Sequence, residues 1–468
     1  MHIQLRLKKL LNVFGLCLAC FASCNHSLAH DITNEVTNEF TNKITHEIIL
    51  WHSMDGPLNE TFQSLIDKFN RNLAANNPNV KAKVVPIFKG TYEETLALGL
   101  KAVESKQAPH ILQVFEMGNL VMQNHPQAFV PIDKLTEKPN PNLSPNHFLP
   151  IIRAFYKSPH PDRGMLSLPF SASSVILFYN KDALRRAGFD PEQPPKTWED
   201  FETMAIKLKS QGAKNVMASG WLSGHHIDHL AAWHNEPIAT KGNGIDGRGA
   251  TLIINRPFFV HHLNKLAEWY AAGIFSLETR LEAEKVFANE EVIFLSQGSN
   301  RLPLLEKLVN GKFEIGVGQF PYWKSKVKAP QNTVAGGASF FALSGFSPEE
   351  YKIIARLFEF LASPEVQAEW HEKTCYMPVV IGAEAIAAKQ NFYSQGLKGK
   401  AAKLALDSFQ LNSPREYSRG VLLPNFPKVR EMMVYEMKEA IRGNKTAIEA
   451  LASIEESGNK IMTEDLTY

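Results

Sequence analysis

Four histidines crowd one short stretch, His225, His226 and His229 with His234 close behind. On a helix His225 and His229 would share a face at i,i+4, a spacing compatible with zinc, and Asp228 lies between them. No HExxH pattern accompanies them and no acid is placed as a third ligand. Two readings stand: a secreted zinc-dependent hydrolase built on His225, His226 and His229, or an exposed or hydrogen-bonded histidine patch. Gly242-Asn243-Gly244-Ile245-Asp246-Gly247 has the G-x-G-x-x-G spacing. A dinucleotide site needs a strand before that loop and a helix after it. Here the strand-like Thr251-Leu252-Ile253-Ile254 follows, so the stretch reads as a glycine-rich surface hairpin. No G-x-S-x-G, phosphate-binding P-loop or paired C-x-x-C occurs. Nothing proposes a nucleophile, which favours a binding protein over an enzyme.

A reversible binder of a small polar solute needs aromatic faces, short hydroxyls, backbone N–H groups and one or two charges converging in a cleft. Such groups follow three apolar runs: Trp51-His52-Ser53-Met54, Lys89-Gly90-Thr91-Tyr92 and Glu116-Met117-Gly118. In open parallel sheets ligands bind beyond the carboxyl ends of the strands, so these loops should converge. Any one of them alone is ordinary turn chemistry; three at equivalent positions point to a site.

The elements that must carry them alternate. Ile48-Ile49-Leu50-Trp51 is a buried-strand run, and Phe62, Leu65, Ile66, Phe69 and Leu73 fall on one helical face before Asn76-Asn77-Pro78-Asn79 breaks the helix. Val84 to Phe88 is the next strand, a helix is expected from about Tyr92 to Glu104, and Ile111 to Phe115 is a third strand. Continuous apolar strands between helices predict an α/β fold of parallel sheet covered on both faces. Ser347-Pro348-Glu349-Glu350 supplies an N-cap, an N1 proline and a capping-box acid, and Ser363-Pro364-Glu365 repeats the logic. Met432, Met433, Tyr435, Met437 and Ile441 mark terminal helices packed on the body, the methionines as core filler.

The 468 residues, 44% hydrophobic and 21% charged, exceed one domain and can bury a large core. A net charge of +2 without a long basic run argues against nucleic acid or anionic membrane as the main partner. Arg6, Lys8 and Lys9, the apolar run Leu10 to Ala22 and Ser27-Leu28-Ala29 read as a signal peptide, residues 1–29, cleaved after Ala29. Cleavage removes three basic and no acidic residues, turning +2 into −1. Cys17, Cys20 and Cys24 leave with it, so Cys375 remains alone and no internal disulfide can form, which suits a large periplasmic protein. Phe21-Ala22-Ser23-Cys24 offers an alternative, a lipoprotein acylated at Cys24. Residues 30–46, with a Thr/Asn-rich repeat of period four from Thr33, read as a polar tether.

Tyr179-Asn180-Lys181-Asp182-Ala183-Leu184, then Ala187-Gly188 and Pro195-Lys196-Thr197-Trp198-Glu199-Asp200, resembles the YNKD…AG…P-x-TW-x-D signature of the large extracellular solute-binding proteins of ABC importers, the maltose-binding type. Ala218-Ser219-Gly220-Trp221, Pro330-Gln331-Asn332, Gly336-Gly337-Ala338-Ser339 and Glu369-Trp370-His371 extend the likeness from about residue 48 to near the C-terminus. The resemblance implies a two-lobe periplasmic binding protein fold with an interlobe ligand cleft and three hinge crossings. It implies a partner permease in the membrane and, in the branch most similar, a small phosphorylated polyol as ligand: sn-glycerol-3-phosphate or a glycerophosphodiester. An oligosaccharide on the same fold is the alternative.

Position by position, the resemblance implies ligand contacts at Tyr92, Glu116, Ser173, Ser296, Gly337, Tyr376 and Arg430, with Trp221 as aromatic floor. Arg430 would pair with phosphate oxygens, and Tyr92, Tyr376, Ser173, Ser296 and the Gly337 N–H would add donors. The other reading of Arg430 is a surface ion pair. Glu116, acceptor-only when ionised, suits the polyol hydroxyls. Ser296-Gln297-Gly298-Ser299 departs from the family's two serines before glycine, so Ser296 and Gln297 compete for that place. Gly224 stands where relatives place a second tryptophan, which would widen the pocket toward a phosphodiester. Lobe one is expected at 47–170 plus 292–335, carrying Tyr92 and Glu116. Lobe two is expected at 171–291 plus 336–468, carrying Ser173, Trp221, Gly337, Tyr376 and Arg430.

Overall fold

The computed structural model describes residues 46–76, 81–136, 140–156, 164–412 and 415–464. The signal peptide, its Ala29 cleavage site, Cys24 and all but the last residue of the tether lie outside the described residues. By contact the chain forms a small unit, described at residues 46–47, 70–76 and 81–83, and a large one over Ile48–Phe69 and Val84–Tyr468 that contains the cavity discussed below. No helix among the described residues is long and apolar enough to cross a membrane.

The expected alternation forms. Strand β1 is His46–His52, followed by helix α1 (Gly56–Asn76), β2 (Ala82–Phe88), α2 (Tyr92–Glu104) and β3 (Ile111–Phe115). Thr91 caps α2 by accepting from the Glu94 N–H while the Glu94 carboxylate returns to the Thr91 N–H, which fixes where Tyr92 leaves the chain. Strands β4 (Phe129–Val130), β5 (Leu168–Ser173) and β11 (Gly336–Leu343) complete a first sheet in the order β2-β1-β3-β11-β4, with β5 also on β11. The second sheet runs β10-β6-β9-β7-β8, from β6 (Val175–Asn180), β7 (Met217–Ser219), β8 (Phe275–Ser276), β9 (Phe294–Gly298) and β10 (Ile315–Gln319), with helices α3 (Trp198–Ser210) and α4 (Pro257–Ala271) between β6 and β9 in the chain.

Two expectations need correction. The sheets are mixed rather than parallel. β1 lies parallel to β3, with Leu50 opposite Ile111, but β11 runs antiparallel to both β3 and β5. In the second sheet β6 is antiparallel to β9 and β10. The expected lobe boundaries also differ from the pairing. Residues 292–335 hold β9 and β10, which join β6, while β11 returns to the first sheet. Burial makes every strand look alike in sequence, so the run of apolar residues does not say which sheet takes it.

The chain passes between the sheets at Ser174, the single residue linking β5 to β6, and again between Gln319 and Gly336. The third passage follows the helix Pro364–Thr374. Helices α5 (Pro348–Leu361) and α6 (Pro364–Thr374) begin at the two expected serine caps, the first with a complete capping box. Trp370 of α6 packs on Phe170 of β5 and Phe62 of α1, and Phe340 of β11 stacks on Phe62 at 5.6 Å. Helix α7 (Gly396–Asp407) then lies against β10 and β6. Helices α8 (Phe426–Ile441) and α9 (Ala447–Ile461) close the second lobe, with Met433, Met437 and Ile441 buried and Tyr435 exposed. Its core centres on Trp198, surrounded by Phe201, Trp269, Phe320 and Trp323.

The β5–β11 seam is tight. Gly337 sits opposite Ala172 at φ +154°, and a Cβ there would lie 1.9 Å from the Ser171 carbonyl oxygen. Gly337→Ala is expected to destabilise the fold by at least about 1–3 kcal/mol, the range for a residue held in strained backbone. Urea denaturation measures this, and an unchanged midpoint would contradict the close approach.

Candidate functional site

The three loops expected to converge do so. Ser53 and Met54 after β1, Tyr92 at the start of α2, and Glu116 and Met117 after β3 line one cavity, which holds about 1030 Å³ of atom-free space, its open mouth included. Of the expected contacts, Tyr92, Glu116, Ser173, Trp221, Gly337, Tyr376 and Arg430 all reach its wall. Tyr92, Glu116, Ser173 and Gly337 come from the first sheet's elements, and Trp221 and Arg430 from the second's. Tyr376 also stands beside the first sheet, where the Met377 N–H donates to the Ala172 carbonyl at 2.6 Å. Ser173, Gly337 and Tyr376 therefore fall on the other side from the one expected, a direct consequence of β11 and β5 pairing.

Ser296 does not reach the wall. It is fully buried behind it, bonding the Ser219 hydroxyl at 2.9 Å and His225 Nδ1 at 3.2 Å. Its neighbour Gln297 lines the cavity, with its amide N–H donating to Glu284 at 3.0 Å. Successive residues of β9 face opposite ways, so of the two competing residues Gln297 meets the cavity and Ser296 the interior.

Tyr92 and Tyr376 hold their hydroxyls 3.3 Å apart, each ring backed by another: Tyr92 stacks on Phe115 at 5.6 Å and Tyr376 on Trp370 at 5.7 Å. Glu116 Oε2 accepts the Gly337 N–H at 2.9 Å. That N–H, expected as a phosphate donor, is therefore committed to holding Glu116. Arg430, on the first turns of α8, donates from Nη2 to Asp228 Oδ2 and lies 5.3 Å over the Phe426 ring. The ion pair is real but lines the cavity instead of the outer surface. Gly224 makes room for it: a Cβ there would meet Arg430 Nη1 at 2.8 Å.

Two further guanidiniums had no motif to announce them. Arg301 is clamped by Glu284 (2.8 Å) and Asp55 (2.7 Å). Arg280 lies 5.6 Å over the ring of Trp221, and both line the cavity. Burial pushes the Glu116 carboxyl up, opposed by the Gly337 N–H and by Arg430; burial also pushes Asp228 up, opposed by Arg430.

The histidines do not assemble a metal site. His225 turns to Ser219 and Ser296, His226 to His262 (2.9 Å), His229 to Thr333 (2.6 Å), and His234 to the Leu230 carbonyl (2.7 Å). No group of three or more metal-binding side chains occurs among the described residues. The stretch is a π-helical turn, Gly224–His229, running into a short helix, and most of it is buried, so of the two forms expected for the patch it is the hydrogen-bonded one and not the exposed one. The Gly242 loop joins a hairpin bridged at Ala239 and Leu252, with Leu252 in an isolated bridge and not a strand.

A family model described as bacterial extracellular solute-binding protein matches residues 64–393. The chain belongs to that family. It is 37% identical over 420 residues to the sn-glycerol-3-phosphate-binding periplasmic protein of Pectobacterium atrosepticum, covering 89% of this chain and 91% of that one. It is 36% identical over 416 residues to the protein of the same name from Escherichia coli O6:K15:H31, covering 89% and 92%. Among solved structures it is similar to UgpB from Mycobacterium tuberculosis in complex with glycerophosphocholine (TM-score 0.72, 18% identity, 89% and 98% covered). It is also similar to the GacH receptor of Streptomyces glaucescens (TM-score 0.71, 15% identity, 91% and 100% covered). The shared fold is the two-lobe periplasmic binding protein architecture, and the hydrolase reading finds no support in it.

In this family member the buried histidines carry a pH signature. Burial drives His226 and His229 down to about 3 and His234 to about 4, from an ordinary value near 6.5. Above that ordinary value both folded and unfolded chains hold them neutral. Below it the unfolded chain takes up protons that the folded chain cannot, so stability is fully present above about pH 6.5 and is lost as pH falls toward 4. Each such histidine steepens the loss by up to about 1.4 kcal/mol per pH unit. The melting temperature measured by calorimetry should fall steadily from pH 7 to pH 5; a flat profile would contradict the burial.

Proposed function

We propose that the chain is the extracytoplasmic solute-binding component of an ABC importer, capturing sn-glycerol-3-phosphate and delivering it to a membrane permease. The observation that carries this reading is the sharing of one cavity by Arg430 and Glu116, on elements of the two different sheets. Arg430 would take phosphate oxygens with Nε and Nη1, the groups its ion pair leaves free. Glu116 would accept from a polyol hydroxyl, held in place by the Gly337 N–H. The Tyr92, Tyr376 and Ser173 hydroxyls and the Gln297 amide add polar contacts, and Trp221 offers a ring face with Arg280 above it. A ligand touching both lobes stabilises the closed form, because only that form makes both sets of contacts. On this reading the chain makes and breaks no bond, is exported to the periplasm, and meets the membrane only through the permease or an anchor at Cys24. Neither nucleic acid nor cofactor takes part.

The names carried by the relatives at 36–37% identity support the same ligand. A glycerophosphodiester is the second reading: Gly224 brings no side chain to the cavity wall, and the Arg430 guanidinium approaches its backbone instead. An oligosaccharide would bring no anion to Arg280 over the Trp221 ring or to the unbonded Nε of Arg430.

Arg430→Ala should weaken sn-glycerol-3-phosphate binding by about 2–5 kcal/mol, as for truncating one partner of a buried charge pair. Isothermal calorimetry reads this directly, and an unchanged affinity would remove Arg430 from the site. Mass spectrometry of ligand retained through purification separates monoester from diester, and a retained oligosaccharide would overturn both.

A further inference from the structure

We infer that Asp228 is a specificity-determining residue, its Oδ1 accepting a hydrogen bond from the ligand hydroxyl on the carbon next to the phosphorylated one. The inference rests on the phosphorylated-polyol reading and names a contact that reading lacks.

Asp228 lines the cavity with 6% of its surface exposed, on the π-helical turn Gly224–His229. Turns of this kind are rare and cluster at functional sites, because the extra residue re-aims a side chain. Oδ2 takes the Arg430 Nη2–H, while the other two functional atoms of the pair, Asp228 Oδ1 and Arg430 Nε, are buried and have no hydrogen-bond partner among the described residues. One is an acceptor that needs a donor and the other a donor that needs an acceptor, on two groups already bonded to each other. A half-satisfied buried network is costly, so the molecule that completes it gains disproportionately.

The complement of that pair is a donor and an anionic acceptor held a few bonds apart. A phosphate dianion alone has no donor to offer. A hydroxyl on the carbon adjacent to a phosphate ester supplies both. Glu116 stands at the end of β3 on the first sheet's side of the cavity, with Oε2 accepting the Gly337 N–H and Oε1 open. It is left for the far hydroxyl. Phosphate on Arg430, middle hydroxyl on Asp228 and terminal hydroxyl on Glu116 make three different anchors, which is what telling mirror images apart requires.

The test is calorimetry with three probes: sn-glycerol-3-phosphate, its enantiomer sn-glycerol-1-phosphate, and 1,3-propanediol monophosphate, which lacks the middle hydroxyl. Wild-type protein is expected to bind the first about tenfold or more tighter than either of the others, the worth of a charge-assisted hydrogen bond. In Asp228→Ala the preference should collapse to within about threefold. A preference that survives the substitution overturns the inference, as does wild-type protein binding glycerol phosphate and propanediol phosphate equally. Should the alanine variant not fold, Asp228→Asn serves instead. Its oxygen turns to Arg430 and its NH2 to the ligand, so the preference should fall at least about threefold; an undiminished preference overturns the role. Wild-type protein that binds none of the three probes overturns the underlying ligand reading instead, and the two failures are thus distinguishable.

Discussion

A charge taken out of water has to be paired, or its burial costs several kcal/mol. The cavity is organised by that constraint. Arg301 is shared between Asp55, just after β1, and Glu284, on the helix preceding β9. Glu116, at the end of β3, is tied to the backbone of β11. Arg430 on α8 is tied to Asp228, some two hundred residues earlier in the chain. The pairings of Arg301 with Asp55, Gly337 with Glu116 and Arg430 with Asp228 each join segments more than two hundred residues apart, so the charged wall is also a set of clamps fixing where the loops stand. What stays uncommitted, Arg430 Nε and Asp228 Oδ1 above all, is what a ligand can address.

The strand order serves the same end. Because β11 returns to the first sheet between β3 and β5, Gly337 faces Glu116 on one side and Ala172 on the other. Only glycine tolerates that position, with Ser171 so close behind it. The one-residue link at Ser174 then starts β6 in the second sheet directly beside the cavity. Polar groups from two sheets meet at a seam where the chain crosses repeatedly, a place where a change in ligand occupancy can alter the relation of the lobes.

Much of this was legible in the residues. The caps at Ser347 and Ser363 marked helix starts to the residue, and three apolar runs marked β1, β2 and β3. The family signature, together with the loops after those strands, pointed to residues of which most line one cavity. Strand partners were not legible. β11 pairs with β3 across more than two hundred residues, and no local pattern encodes which sheet a buried apolar run will join. Ser296 was misplaced for a related reason: one step along β9 exchanges the cavity face for the interior. Arg280, Arg301 and Asp228 went unassigned because an isolated charged residue looks the same in sequence whether it faces solvent or a cleft.

The most direct measurement is a crystal structure of the protein with sn-glycerol-3-phosphate. Phosphate density against the Arg430 guanidinium, with a glycerol hydroxyl on the Glu116 carboxylate and both sheets touching the ligand, is the expected result. Phosphate bound away from Arg430, or a ligand held by one lobe alone, would contradict it.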